Sequence, residues 1–388
     1  MPLIVVSGPL ANKPGNGGAA WTRLSWTLGL RQLGCDAYFV EQISPMQCVD
    51  AEGSACDPAR SINLAYFTQI TRQFGLADES ALLLDSGSCC AGLSCSEVVD
   101  LADAADLLVN ISGHLTIDRI KRRFHKRAFL DFDPGYTQHW YAAGLGIDHI
   151  RDHHFYFTVG ENIGRDDCQI PVCDIAWRPV RQPVLLGEWP VVPGEGQRLR
   201  FTTVASWRGP YGPVSRNGVQ FGPKAHEFRK FLPLPTQSDH EFEIALDIHP
   251  ADGRDLTAMR AQGWHIADPT VVAGNPLAFR QYLQQSSAEF SVAQGIYVNT
   301  NSGWFGDRTV RYLASGKPAL VQDTGFSRTY PVGCGLVPFR TLAEAVEGAE
   351  QIDRDYAAHS RAARAIAEQL FDSDTVLTNL LREVEVAA

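Results

Sequence analysis

The order of residue classes between positions 288 and 325, AEFSVAQGIYVNTNSGWFGDRTVRYLASGKPALVQDTG, limits what this chain can fold into more than any other stretch. Phe290 to Val298 reads as a buried strand, Asn299 to Gly306 as a glycine-broken loop and Asp307 to Ser315 as a short helix. A second buried strand, Pro318 to Gln322, then ends in Asp323-Thr324-Gly325. A strand that runs through such a loop into a helix start gathers unpaired backbone N–H groups and a positive dipole end at one spot, which suits a phosphate. The same order also serves an ordinary βαβ unit. It fixes a strand–helix–strand crossover and leaves the ligand open.

Similar alternation runs through the rest. Leu3–Ser7, Ala37–Val40, Ala81–Leu84, Leu107–Ile111, Ala128–Phe132 and Phe155–Val159 read as strands, with helical periodicity over 19–33, 61–74 and 95–105. The pattern dissolves at Pro179, Pro183, Pro190, Pro193, Gly194 and Gly196, a linker composition. It restarts with strands at Phe201–Ser206, Glu241–Ile248 and Trp264–Ala267, and closes with helices over 341–352, 356–370 and 374–385. The expectation is an α/β protein of two Rossmann-like, doubly wound parallel-sheet domains facing across a cleft. Its parts are an N-terminal domain (1–178), a linker (179–199), a C-terminal domain (200–370) and a terminal helix (371–388) with room to cross back. A chain of 388 residues suits two cores. Ligands collect at the carboxyl ends of such sheets.

A formal charge of −10 argues against a nucleic-acid partner. The local basic run from Lys121 to Arg127 reads either as a patch for an anion or as a solvated helix end. No apolar run approaches the roughly 18–20 residues that span a bilayer. Pro2 to Val6 lacks a basic region before it, so a cytoplasmic protein with mainly reduced thiols among its nine cysteines is expected. Cys89, Cys90 and Cys95 match no common zinc spacing, and His149 with His153 lacks a third ligand, so no metal is expected.

Candidate chemistry sits where strands end. Pro14-Gly15-Asn16-Gly17-Gly18 lacks the Gly-Lys-Ser/Thr ending of a P-loop. It fits a dinucleotide fingerprint only in the variant with Ala20 at the sixth position, with Glu41 as the acidic residue. His114 follows the strand Leu107–Ile111 and could act as a base or bind a hydroxyl. Asp133 follows the next strand as a candidate base, although Asp-Pro-Gly is also turn chemistry, and Asp131 two residues earlier points the same way.

Gly303-Trp304-Phe305-Gly306 and Ala314-Ser315-Gly316-Lys317-Pro318 together resemble the donor half of GT-B glycosyltransferases. The resemblance covers about 200–370 best, and the first domain only in its order of elements. It implies a transferase moving a sugar from a nucleotide-sugar, UDP-linked, to a small-molecule, glycan or peptide acceptor, with no cofactor and no metal. Gly17 and Gly18 would approach the diphosphate or sugar with their amides, and Arg208 and Lys224 would supply cations. Ser302, Gly303, Asp307, Arg308 and Thr324 would meet phosphates and sugar, and Ala267 and Asp268 the base. The chain departs from the pattern where retaining members carry two glutamates, since Gly303 and Arg311 stand there. That puts the sugar and ribose contacts in doubt, and leaves an epimerase or hydrolase of the same fold, or a non-catalytic binding protein, as other readings.

Overall fold

A computed structural model describes residues 1–193, 198–209, 211–216 and 218–387. Eight strands make the first sheet: β1 (Leu3–Ser7), β2 (Asp36–Ile43), β3 (Ser80–Leu84), β4 (Cys89–Gly92), β5 (Leu107–Ile111), β6 (Arg127–Asp131), β7 (Phe155–Thr158) and β8 (Trp177–Pro179). Their order is β4-β3-β2-β1-β5-β6-β7-β8, all parallel except the β3–β4 pair. Ile4, Val5 and Val6 are fully buried, so both faces of the sheet are covered, as parallel pairing by crossover helices requires.

β9 (Arg200–Ser206) opens the second lobe and is followed by a hairpin of β10 (Val214–Arg216) and β11 (Val219–Phe221). β12 (Glu241–Asp247), β13 (His265–Ala267), β14 (Ala288–Ser291), β15 (Ala319–Gln322) and β16 (Leu336–Phe339) complete a parallel sheet of order β13-β12-β9-β14-β15-β16. Strand order reverses at β1/β5 in one sheet and at β9/β14 in the other. Each reversal leaves a crevice beyond the carboxyl ends of the strands.

Three sequence readings change. The strand expected to reach Val298 stops at Ser291, and Gly295–Asn299 is helical. There Ala293 N–H donates to the Gln322 side chain, so a side chain replaces the ladder partner. β4, β8 and β16 had not been read as strands. The proline-rich segment is not loose: Trp189 is fully buried 5.3 Å from Trp21, and Val184 bridges to Asp372. Gly194 and Gly196 of that segment lie outside the described residues.

The basic run is consumed internally. Lys121 donates to the carbonyls of Asp148 and Arg151, Arg122 and Arg123 pair with Asp152 and Asp103, and Lys126 and Arg127 hold backbone carbonyls. His153, buried, bonds Asn110 and the Ile150 carbonyl. Among the described residues no cluster of three His, Cys, Asp or Glu side chains could hold a metal, and no helix is long and apolar enough to cross a membrane.

The last helix, Ser373–Glu383, lies on the first, Gly17–Gln32, and its Leu377, Leu380 and Leu381 join the core of Ile4 and Val6. Gly29 makes that approach possible, since a Cβ there would sit 2.5 Å from a Leu377 methyl. Leu377→Ala should therefore cost roughly 2–5 kcal/mol by leaving a cavity, read as a lower urea midpoint.

Candidate functional site

A cavity of about 440 Å³ opens where the two crevices meet. The N-terminal lobe supplies Lys13 to Asn16 and, from the first helix, Gly18, Ala19, Thr22 and Arg23. Across the gap stand Val204 to Ser206 at the end of β9, Asp247 at the end of β12, Pro269, Thr270, Ala273, Phe279, and Asp307 with Arg308.

The loop after β1 is held in shape by buried side chains. Glu41, on β2 and fully buried, accepts N–H from Ala11 at 2.6 Å and Asn12 at 2.9 Å. Asn63 donates to the Ala11 carbonyl at 2.8 Å. Asn16 then caps the helix by accepting from Ala19 N–H at 2.9 Å. Lys13 is thereby presented to the cavity by a backbone with little freedom.

Four cations crowd this space, close enough to one another to lower two of them. The Lys13 ammonium is pushed down to about 8, first by the nearby Arg23 charge and then by burial. Burial also lowers Arg23, whose Nε has no hydrogen-bond partner among the described residues. Lys224, half-buried and in electrostatic reach of Arg308, is pushed down to about 7 by desolvation, then by that charge. Arg308 is pinned: Nε to Glu289 at 2.7 Å, one terminal nitrogen to the Val204 carbonyl at 2.5 Å and the other to Ser291 at 2.9 Å. Burial raises Glu289, and Arg308 opposes that rise. Three bonds leave two of the five guanidinium N–H groups of Arg308 for a ligand. The helix Asp307–Ala314 adds first-turn amides that have no intrahelical acceptor.

Asp133 lies beside the cations. Burial raises its carboxyl, Lys13 and Arg23 oppose that rise, and the Tyr211 hydroxyl donates to it at 3.4 Å. Asp131 has a different job. It is fully buried and accepts from Thr137, Gln138 and Thr158 at 2.7, 2.7 and 2.8 Å, anchoring the helix Tyr136–Ala142. His114 stands 3.8 Å from Glu41 behind the loop, with its Nε2 buried and unbonded among the described residues.

The candidates read from sequence divide accordingly. Gly18, Asp307 and Arg308 line the cavity. Ala267 ends β13, and Asp268 caps the turn that carries Thr270 to the cavity wall. Gly17 is a correction: its N–H is spent on the Ala273 carbonyl at 2.8 Å, and a Cβ would lie 2.1 Å from the Asn275 oxygen, so it seats one lobe on the other. Ser302, Gly303 and Thr324 also do not reach the cavity. Gly303 N–H bonds the Thr324 carbonyl, Thr324 bonds Trp304, and Ser302 bonds Tyr297. Arg208 turns away, because Trp207 takes the inward position after β9; it forks onto Asp252 at 2.7 and 2.8 Å with 62% of its side chain exposed. Arg311, where a glutamate would stand, is buried against Asp307 and Ser25. Lys13, Thr22, Arg23 and Tyr211 had not been singled out. A lysine just before a glycine-rich loop was the one signal available for them.

No protein-family model matches the chain, and no curated protein does. Solved structures do. An alpha-glucosyltransferase in complex with UDP-glucose and DNA containing an abasic site superposes with a TM-score of 0.61 at 10% identity, over 98% of each chain. Anabaena HepE in complex with UDP gives 0.59 at 12% identity, over 99% of this chain and 100% of that one. AviGT4, a glycosyltransferase involved in avilamycin A biosynthesis, gives 0.52 at 12%, over 99% and 97%. The fold is therefore GT-B: two Rossmann-like lobes facing across a cleft, here along the whole described chain.

The crowded lysines set the pH response of the ligand-free protein. Both have folded pKa values below the unfolded value of 10.5, so the unfolded chain holds more protons above about pH 7. Stability contributed by this pair should rise from about pH 7 and level off above the unfolded value. Lys13→Met with Lys224→Met should flatten that rise in melting temperature measured against pH.

Proposed function

We propose that the chain is a glycosyltransferase that takes a hexose from a UDP-sugar and passes it to an acceptor hydroxyl. One observation carries the reading: Lys13, Arg23, Lys224 and Arg308 converge on or beside the cavity where the two sheets reverse order, with Lys13 and Lys224 each lowered in part by a neighbouring arginine. Buried cations crowded against one another cost stability, as the lowered Lys13 and Lys224 show, and a diphosphate relieves that cost. The GT-B solved structures described with UDP and UDP-glucose support the same ligand class.

In this reading the diphosphate rests against Lys13, Arg23, the free N–H groups of Arg308, the first-turn amides of the helix Asp307–Ala314 and the Gly18 backbone. Pro269, Thr270 and Ala273, next to Asp268, border the base and ribose. As the anomeric bond to the diphosphate breaks, negative charge grows on the leaving group, where fixed cations stabilise it most. These four cations supply charge of the kind a divalent metal would, which favours a metal-independent reaction. Asp133 takes the acceptor proton; its raised pKa makes it a stronger base than an exposed carboxylate. His114 lies in the same lobe behind the loop and is left a supporting place near Glu41. The internally bonded basic run and the charge of −10 favour an acceptor other than nucleic acid.

Binding has the opposite pH sign to ligand-free stability. Protonated lysines hold the anion, so UDP affinity by isothermal titration should be greatest below about pH 7 and fall as pH rises through about 8. Lys13→Ala should weaken UDP about tenfold or more, the loss of one charge-assisted contact. Asp133→Asn should slow transfer by about 10²–10⁴-fold, the usual worth of a general base, without weakening UDP. A titration with no UDP binding at any of these pH values would remove the transferase reading.

A further inference from the structure

The hairpin of the C-terminal lobe does not stay with its own sheet. Val214 and Phe221 join one apolar cluster with Tyr136 of the N-terminal lobe, and Phe221 stacks on His139 at 5.8 Å. Tyr211, just before β10, packs its ring on Tyr136 at 5.0 Å and edge-on to Trp140 at 4.7 Å. Its hydroxyl points at Asp133, the carboxylate assigned above as base. A planar ring with one hydroxyl therefore already occupies the acceptor side of the cleft, oriented as a reacting acceptor would be.

The surroundings suit such a ring better than a sugar. The cluster offers aromatic faces and the apolar side chains of Val214, Ala293 and Ile296. Of its two phenols besides Tyr211, Tyr136 is spent on Gln294 at 2.6 Å, while Tyr297 is buried and bonds Asp133. A sugar acceptor would bury several hydroxyls here, and each without a partner costs about 1–3 kcal/mol. A phenol brings only the one that meets Asp133.

We propose, resting on the transferase reading, that Tyr211 stands in for the acceptor and that the acceptor is a small hydroxylated aromatic ring which displaces it. The phenol oxygen bonds to the anomeric carbon as the carbon–oxygen bond to the β-phosphate breaks. That electron pair leaves with UDP, and the phenol proton passes to Asp133. Tyr211 and its hairpin then act as a plug that keeps water from the base until a ring of matching shape arrives.

The test incubates the full chain with UDP-glucose and either 4-nitrophenol or methyl glucoside, identifies products by mass spectrometry, and measures UDP binding in parallel. Glucosylation of 4-nitrophenol in preference to methyl glucoside is expected. Tyr211→Ala, by removing the competing ring, should raise kcat/KM for the phenol about tenfold, whereas Tyr211→Phe, which keeps the ring and loses only its bond to Asp133, should raise it less. With UDP still bound, three results would overturn this acceptor class alone: preference for methyl glucoside, no transfer to either compound, or no gain in folded Tyr211→Ala. Should Tyr211→Ala not fold, the wild-type preference between the two acceptors decides. Loss of UDP binding itself would overturn the transferase reading and this inference together.

Discussion

One face of the helix Gly17–Gln32 holds the two lobes to each other. Gly17 donates to Ala273, Trp21 Nε1 to Pro276 at 2.9 Å and Thr22 to Asp307 at 2.5 Å, while Ser25 accepts from Arg311 at 3.2 Å. The spacing i, i+4, i+5, i+8 keeps all four on one stripe. The same helix turns Gly18 and Arg23 toward the cavity and carries Gly29 against the last helix. Interface, ligand wall and C-terminal anchor are thus three faces of a single element. A change in its packing would be felt in all three.

The charge arrangement follows a similar economy. Arg308 is immobilised by Glu289 and two further acceptors, so little side-chain entropy remains to be lost when a ligand arrives. Lys13 has no such partner among the described residues and depends on Glu41 fixing the loop that bears it. Glu41 is acidic, yet its part is mechanical, since it satisfies two amides that would otherwise be unpaired in the core. The sequence offered it as a ribose-binding residue of a dinucleotide site. Burial and two short bonds give it the loop instead.

What the sequence shows and hides has a physical pattern. Strands buried on both faces, such as Leu3–Ser7 and Leu107–Ile111, are legible because every residue must be apolar. β16 escapes because it lies at an edge and tolerates Pro338, which argues against a central strand. β4 is a four-residue antiparallel edge among cysteines and serines, with no alternation long enough to see. Asp307 and Arg308 were legible through the loop-to-helix rule, a local signal. Lys13 and Arg23 become partners of Arg308 only once two distant lobes dock, which no local window reports. Arg208 was misplaced through a phase error: Trp207 claims the interior, and the next side chain must then face solvent.

The chain passes between the lobes twice, once through the proline-rich segment and once after the helix Tyr356–Leu370. Val184 N–H donates to the Phe371 carbonyl at 2.8 Å and Ser373 N–H returns to the Val184 carbonyl at 3.0 Å, so the two passages are stitched side by side. A doubled strap of this kind resists twisting and sliding far more than bending. Sliding one lobe past the other would have to break both of these bonds, so the paired crossings keep the facing walls of the gap in register.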